Sequence, residues 1–367
     1  MFSIFNNANM SATHIAHNRM LNQQIVNRSI TTPKDLVNHM GAMQAQEFNH
    51  AKWAVGLRLP NYTEKQVEEA FNRGEILRTH LMRPTWHFVS PEDIYWLVGL
   101  SARQIKSAMK ARNRQLELTE KDFKASQEVM IKALEGNHYL TRDELSEFMN
   151  AAGISTKEQR LPHILMEAEI DRVICSGPLK GKKQTYALLE ERVPNKIELT
   201  IDEALARLAR KYFTSHGPAT IADFTWWSGL PVSQARKAIA LNDNHLLSET
   251  INNETYWFSE NYTSNLLPDS VFLLPAFDEY LVSYKNREAA INFKDRAKAV
   301  SNNGIFWPIV VINGKISGIW KKIVKPDLLI IEIESFRQHS NVEIKLLEQA
   351  AEFYGYYCQQ KIQVLFK

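Results

Sequence analysis

The sequence predicts a helix-rich α+β protein: three tandem helical units, each closed by a β-hairpin, followed by a C-terminal α+β domain. Three observations predict it. Helical spacing of apolar residues gives way to strand-like alternation three times along the chain. Each changeover holds turn residues at its centre: Arg83-Pro84, then Gly177 to Gly181, then Asn252-Asn253. Past Asp269 strand-like runs dominate, and Asn313-Gly314 stands between two of them as a strong short hairpin signal.

The totals narrow the function classes. At 367 residues the chain has room for two or three domains. Its 44% hydrophobic and 23% charged residues are ordinary for a soluble globular protein. A formal net charge of +3 and a sequence pI of about 8.6 exclude a histone-like basic protein, so any nucleic-acid surface must be a local patch. Two cysteines, Cys175 and Cys358, argue against a disulfide framework or a Cys-rich metal site. Residues 1–7 lack the basic segment and apolar core of a signal peptide, and no apolar run has membrane-spanning length. The expected location is the cytoplasm, and no cofactor or metal is expected.

The first unit is expected over residues 1–104. A polar helical run covers 11–27. Thr31-Thr32-Pro33-Lys34-Asp35 starts the next helix, with a Thr cap, a Pro in the first turn and an early acid. Leu36, Met40 and Met43 follow at helical spacing. Further helices are expected at 51–59 and 63–73, the second stopped by Gly74. Residues 76–82 and 85–89 alternate as strands around Arg83-Pro84, and Ser90-Pro91-Glu92-Asp93 caps a helix running to about Leu100. Three helices followed by a hairpin is the order of a winged helix, a helix-turn-helix variant. His80 and His87 stand on either side of that hairpin, and as metal ligands they lack an obvious third partner.

The second unit, residues 105–198, repeats the order. A helix over 123–134 precedes a Thr141-capped helix with Glu144 at the capping-box position. A longer helix from Ser155 or Thr156 reaches Ile170, and a hairpin covers 172–176 and 184–189. Its tip carries Lys180, Lys182 and Lys183, which suits a wing neutralising DNA phosphates and also suits a solubilising turn. The third unit, 199–265, has a helix over 201–214, a short one ended by Gly229, another over 232–241, and a hairpin around Asn252-Asn253. In the last region, 266–367, Val271 to Pro275 leads into 276–287. Strands at 306–312, 315–321 and 327–335 follow, then a closing helix over 342–360. The fold class is α+β: three tandem winged-helix modules and a C-terminal α+β domain.

One stretch stands out for chemistry. Gln44 and Gln46 are two residues apart where a helix runs out. Residues i and i+2 share no helix face, but in extended backbone they point the same way. If the chain leaves the helix after Met43, two neutral amides converge with Ala45 packed behind them. Such a pair can hold a water or a sugar-phosphate group. From spacing alone the plainer reading is two polar residues at a helix C-terminus, and the rest of the chain has to argue otherwise.

Four patterns extend this reading: Gln44-Ala45-Gln46; Arg83-Pro84-Thr85-Trp86-His87; Leu274-Pro275-Ala276-Phe277-Asp278-Glu279-Tyr280-Leu281 with Arg287 beyond it; and Asn313-Gly314-Lys315-Ile316-Ser317-Gly318-Ile319-Trp320. In order and separation, over nearly the whole chain, they resemble the winged-helix DNA glycosylases of the AlkZ/YcaQ type. Those are bacterial proteins that remove alkylated bases and unhook interstrand crosslinks. The first pattern matches that family's Gln-x-Gln catalytic motif. The second is similar to its Arg-Gly-Thr-Leu-His hairpin, with Pro84 and Trp86 replacing a smaller Gly and Leu. The resemblance implies a DNA repair glycosylase in a bacterial cytoplasm, with Gln44 and Gln46 catalytic. DNA contacts are then expected from Arg83, Thr85, His87, Lys180, Lys182, Lys183 and Arg287. The expected partner is double-stranded DNA, met by a monomer mostly at its phosphates and with little sequence preference.

The residues fit that chemistry. Breaking an N-glycosidic bond passes through an oxocarbenium-like sugar, usually served by paired carboxylates. A base alkylated on a ring nitrogen is already cationic and leaves without protonation. A placed water and fixed dipoles are what remains useful. Glu47 adjoins the pair, but its i+1 position turns it away. The competing reading is a non-catalytic winged-helix DNA-binding protein, such as a transcription regulator. That reading has no use for the glutamines and usually involves a symmetric dimer, which three unlike modules in one chain argue against. A protein–protein scaffold is the third reading.

Overall fold

The computed structural model describes residues 11–260 and 269–367, so the readings of residues 1–7 and of a division at 265/266 lie outside the described residues. After α1 (Ala12–Asn22), the first unit runs α2 (Pro33–Met40), β1 (Met43–Gln44), α3 (Phe48–Arg58), α4 (Glu64–Asn72), β2 (Leu77–Leu81), β3 (Thr85–Val89). Helix α5 (Ile94–Gln115) leads into the same order: α6 (Glu120–Leu134), β4 (Leu140–Thr141), α7 (Arg142–Ala151), α8 (Arg160–Ile170), β5 (Ile174–Ser176), β6 (Thr185–Leu188). After the single turn α9 (Leu189–Arg192) it returns once more. The elements are α10 (Ile201–Ser215), β7 (Ala219–Thr220), α11 (Ile221–Ser228), α12 (Val232–Ala240), β8 (Leu246–Ile251) and β9 (Glu254–Ser259). The three sheets share one antiparallel order, β1-β3-β2, β4-β6-β5 and β7-β9-β8.

The remainder is a five-stranded sheet backed by a helix. Its elements are β10 (Val271–Leu274), α13 (Glu279–Val282), α14 (Arg296–Ala299), β11 (Ile309–Ile312), β12 (Lys315–Lys325), β13 (Leu328–Ser335), α15 (Asn341–Cys358) and β14 (Ile362–Phe366). The strands lie in sequence order, antiparallel except for the β13–β14 pair, which α15 connects. The chain is therefore mixed α+β, as expected.

Local chemistry explains most boundaries. Thr63, Thr119, Thr141, Thr200, Thr220 and Ser340 each accept from the third backbone amide of the helix they open, whose side chain bonds back. Asn252 and Asn253 both take left-handed φ, as do Asn313 and Gly314, so both tight hairpins form as their sequences predict.

Four expectations need correction. The run 11–27 stops at Asn22, because Gln24 turns left-handed and drops Ile25 into the core. Helix α5 continues to Gln115 instead of ending near Leu100. Its second half is largely solvent-exposed, so the apolar period fades while Ala, Arg, Lys and Gln still favour helix. The expected 104/105 division therefore falls inside a continuous helix. Helix α8 starts at Arg160 rather than at Ser155 or Thr156. Finally β14, and the two-residue strands β1, β4 and β7, are not in the sequence reading. Two residues are too few to show a period.

The cores cross the units. One cluster joins Leu36, Met40, Trp53 and Phe71 of the first unit to Leu273, Ile331 and Tyr354 of the C-terminal region. The indole of Trp53 donates to the Leu273 carbonyl at 2.8 Å. A second cluster joins Leu77, Leu81 and Trp96 to Phe213 and Trp227 of the third unit. The second unit has its own core around Met130, Leu145 and Ile164.

Candidate active site

The helix before the glutamines ends at Met40, not at Met43 as the spacing implied, and Met43 and Gln44 form a short strand. Gly41, in left-handed backbone, ends α2, and the chain enters β1. Gln44 stands opposite His87 on β3, and the ladder continues through the Ala45 amide to the Trp86 carbonyl at 2.7 Å. Strand alternation then puts Gln44, Thr79, Thr85 and His87 on one face, with Arg78, His80, Trp86 and Phe88 on the other, and Gln46 follows in a bend just past the strand. Ala45 is fully buried between the two glutamines.

The two amides differ in setting. Gln44 is 8% exposed, and its carbonyl oxygen accepts from the Thr85 hydroxyl at 3.4 Å. Gln46 is exposed, its carbonyl oxygen accepting from the Trp86 amide at 3.4 Å.

Two side chains fix the segment's backbone. The Arg78 guanidinium reaches round to the carbonyls of Ala45 at 3.0 Å and Gln46 at 3.4 Å, with Trp86 stacked 4.1 Å from it. The Gln44 amide donates to the Glu279 carboxylate at 2.5 Å. The other Glu279 oxygen accepts from the Trp227 indole at 3.1 Å and from the Ser283 hydroxyl. Burial opposes a charge on Glu279, yet nearby His216, the Ser283 hydroxyl and the Gln44 backbone amide hold its carboxyl well below the usual range. His216 is itself pushed down by burial, against the pull of Glu279.

The other predicted site residues are scattered in setting. His87 is 2% exposed, its Nδ1 2.9 Å from the Thr85 carbonyl, and burial pushes its pKa down to about 4. It lies beneath the surface beside Gln44, not on it. His80 faces the other way and pairs with Glu169 of α8, so the two histidines do not converge. Arg83, in the β2–β3 turn, lies 5.1 Å from the exposed ring of Trp226 on α11, and Arg287 lies 5.3 Å from the same ring. Arg287 is only 6% exposed and donates to the Leu281 carbonyl. The lysines sit on the second unit's hairpin, where Lys180 meets Glu144 at 2.5 Å and Lys183 meets Asp143 at 3.5 Å. Such exposed pairs are weak, so both lysines remain open to a phosphate.

Trp86, one of the two departures from the family's hairpin, packs between Arg78 and His80, away from the Gln44 face. Sequence reasoning missed Arg78, Trp226, Trp227 and Glu279 as site residues. Glu279 stands within the third pattern. The adjacent tryptophans were a second signal, since one helix buries Trp227 and exposes Trp226.

The protein is a DNA glycosylase, a hydrolase of the N-glycosidic bond: the model of the family described as DNA glycosylase AlkZ-like matches residues 37–357. The chain belongs to that family. It is 24% identical over 353 residues to the interstrand DNA cross-link repair glycosylase of Streptomyces sahachiroi, covering 91% of this chain and 92% of that one. The solved structure of Streptomyces sahachiroi DNA glycosylase AlkZ superimposes with a TM-score of 0.82 at 22% identity, covering 98% of this chain and 100% of that one. At that identity the likeness shows the fold.

Proposed function

We propose that this glycosylase removes bases alkylated on a ring nitrogen from double-stranded DNA, and that it unhooks interstrand crosslinks built on such bases. Gln44 and Gln46 hold the attacking water against the sugar. The observation that supports this reading is that Gln44 sits in strand β1 opposite His87, while the Gln46 side chain, two residues on, accepts from the Trp86 amide of the same β3 strand. The backbone is held by Arg78 and Glu279, so the dipoles are in place before the substrate arrives. Glu279 is a positioning residue whose charge lies one amide behind Gln44. His87, neutral and buried, packs behind the pair.

In this reading the three repeated units are winged-helix modules, with the first division inside α5, and the C-terminal region is an α+β domain. The chain acts as a monomer in a bacterial cytoplasm. Arg83, Thr85, Arg287 and the lysines of the second hairpin meet DNA mostly at phosphates. A non-catalytic regulator would not need the Gln44 backbone anchored by a buried carboxylate, so the geometry favours the enzyme.

The test is excision of N7-methylguanine from a duplex, followed by alkaline cleavage at abasic sites. Gln44→Ala and Gln46→Ala should each slow excision by about 10²-fold or more, as for loss of other preorganised dipoles. If both variants excise like the parent, the assignment is wrong.

A further inference from the structure

Two arginines from different parts of the chain meet on one exposed indole. Trp226 is 37% exposed, and its ring is fixed by an Nε1 bond to the Val282 carbonyl at 2.8 Å. Arg83 and Arg287 place their guanidiniums 5.1 and 5.3 Å from its centroid. Arg287 is held by its Nε bond to Leu281 and by Phe306, 5.1 Å away. The Nε of Arg83 is buried with no hydrogen-bond partner.

Neither guanidinium forms an ion pair among the described residues. The nearest acids are already engaged. Glu279 is taken up as described above. Asp223 accepts from the backbone amides of Lys285 and Asn286 at 2.8 and 3.0 Å and faces Arg19 at 3.5 Å. Arg287 also lines a cavity of about 370 Å³ with Lys285 and Arg296, and Glu254 and Glu288 complete its charged lining. Burial pushes the Arg287 pKa down to about 10, and the neighbouring Arg296 and Arg83 charges add to that. Like charges gathered on one ring and partly out of water are costly unless an anion joins them. A guanidinium fork matches phosphate oxygens, and the indole faces keep both forks in place.

The cluster adjoins the glutamine pair on two sides. Arg83 is two residues before Thr85, whose hydroxyl bonds Gln44. Trp226 is next to Trp227, which bonds the carboxylate that holds the Gln44 amide. We propose that Arg83 and Arg287 clamp a single backbone phosphate of the damaged strand, and that Trp226 is the positioning residue that sets their separation. This rests on the reading that Gln44 and Gln46 face the sugar of the damaged nucleotide.

The experiment measures binding of the full chain to a duplex with a tetrahydrofuran abasic-site analogue. One neutral methylphosphonate is moved along the damaged strand. For the parent, a single position near the analogue should cost about tenfold in affinity, the scale of a lost charge-assisted bond. Arg83→Gln should lose about tenfold on the unmodified duplex and nothing further at that position. Trp226→Ala should behave like Arg83→Gln, while Trp226→Phe keeps parental affinity. Arg287→Lys guards against misfolding: it keeps the charge, loses the fork, and should show a partial loss with an unchanged melting temperature. Identical methylphosphonate profiles for parent and Arg83→Gln would overturn the clamp, as would equal binding by Trp226→Ala and Trp226→Phe. Excision of N7-methylguanine by the parent is scored separately. A parent that binds but does not excise sinks the glycosylase assignment of the glutamines, and the binding profile still decides the clamp.

Discussion

Burial of His87 makes stability depend on pH in a defined window. Its pKa is lowered from 6.5 to about 4, chiefly by desolvation. Below pH 6.5 the unfolded chain takes up a proton that the folded protein refuses, so stability falls as pH drops from 6.5 toward 4. Above 6.5 the contribution is flat. The loss should approach roughly 3 kcal/mol at the lower end. Urea unfolding across that range checks it, and His87→Gln should reduce the slope without abolishing it, since burial lowers His50 to about 4 as well; an equal slope in parent and variant would reassign the effect. Glu279 makes a second prediction at this scale. Glu279→Gln puts an NH2 group among the Gln44, Trp227 and Ser283 donors, leaving at least one of them unpaired. The expected cost is about 1–3 kcal/mol in thermal unfolding, together with slower excision at unchanged DNA affinity.

At the scale of elements, the glutamine segment differs from its two counterparts in a telling way. In the second and third units the short strand ends in Thr141 or Thr220, and that same threonine caps the next helix. In the first unit Ala45, Gln46 and Glu47 intervene between β1 and α3, and Glu47 makes no side-chain cap. The first unit thus lacks the threonine cap at this point, and the three intervening residues carry Gln46 out to the surface. The hairpin beside this segment is seated by Gly229, the C-cap of α11. Its φ is +72, and an added Cβ would lie 3.2 Å from the Met82 carbonyl. Gly229→Ala should therefore destabilise by about 1 kcal/mol or more. It should also weaken DNA binding by displacing Arg83. Denaturant midpoints and binding isotherms test the two effects; loss of neither would mean that the hairpin does not depend on this contact.

For the whole molecule, the shared core and one ion pair tie the first unit to the C-terminal sheet. Arg58 grips Asp278 through two bonds of 2.9 and 3.0 Å, and both side chains are fully buried. Asp278→Ala strands a buried guanidinium and should cost roughly 3–5 kcal/mol. Because the hydrophobic cluster spans both regions, they should unfold in one transition. Two resolved transitions, with the variant affecting only one, would contradict that coupling. DNA affinity should also fall steeply with salt, since the expected contacts are to phosphates.

The helix starts, the two asparagine-bearing hairpins and the α+β class are legible in the sequence because caps and tight turns act within a few residues. That the chain goes over to extended backbone at Gln44 is legible too, since Gly41 ends the helix just before it. Nothing local shows that Gln44 is anchored by a carboxylate 235 positions away, that Arg78 braces the segment, or that His87 is buried. Those facts, and the meeting of Arg83 with Arg287 on Trp226, depend on how the first unit, the third unit and the C-terminal region pack together. Burial and long-range charge are properties of that packing, so only the tertiary structure decides them.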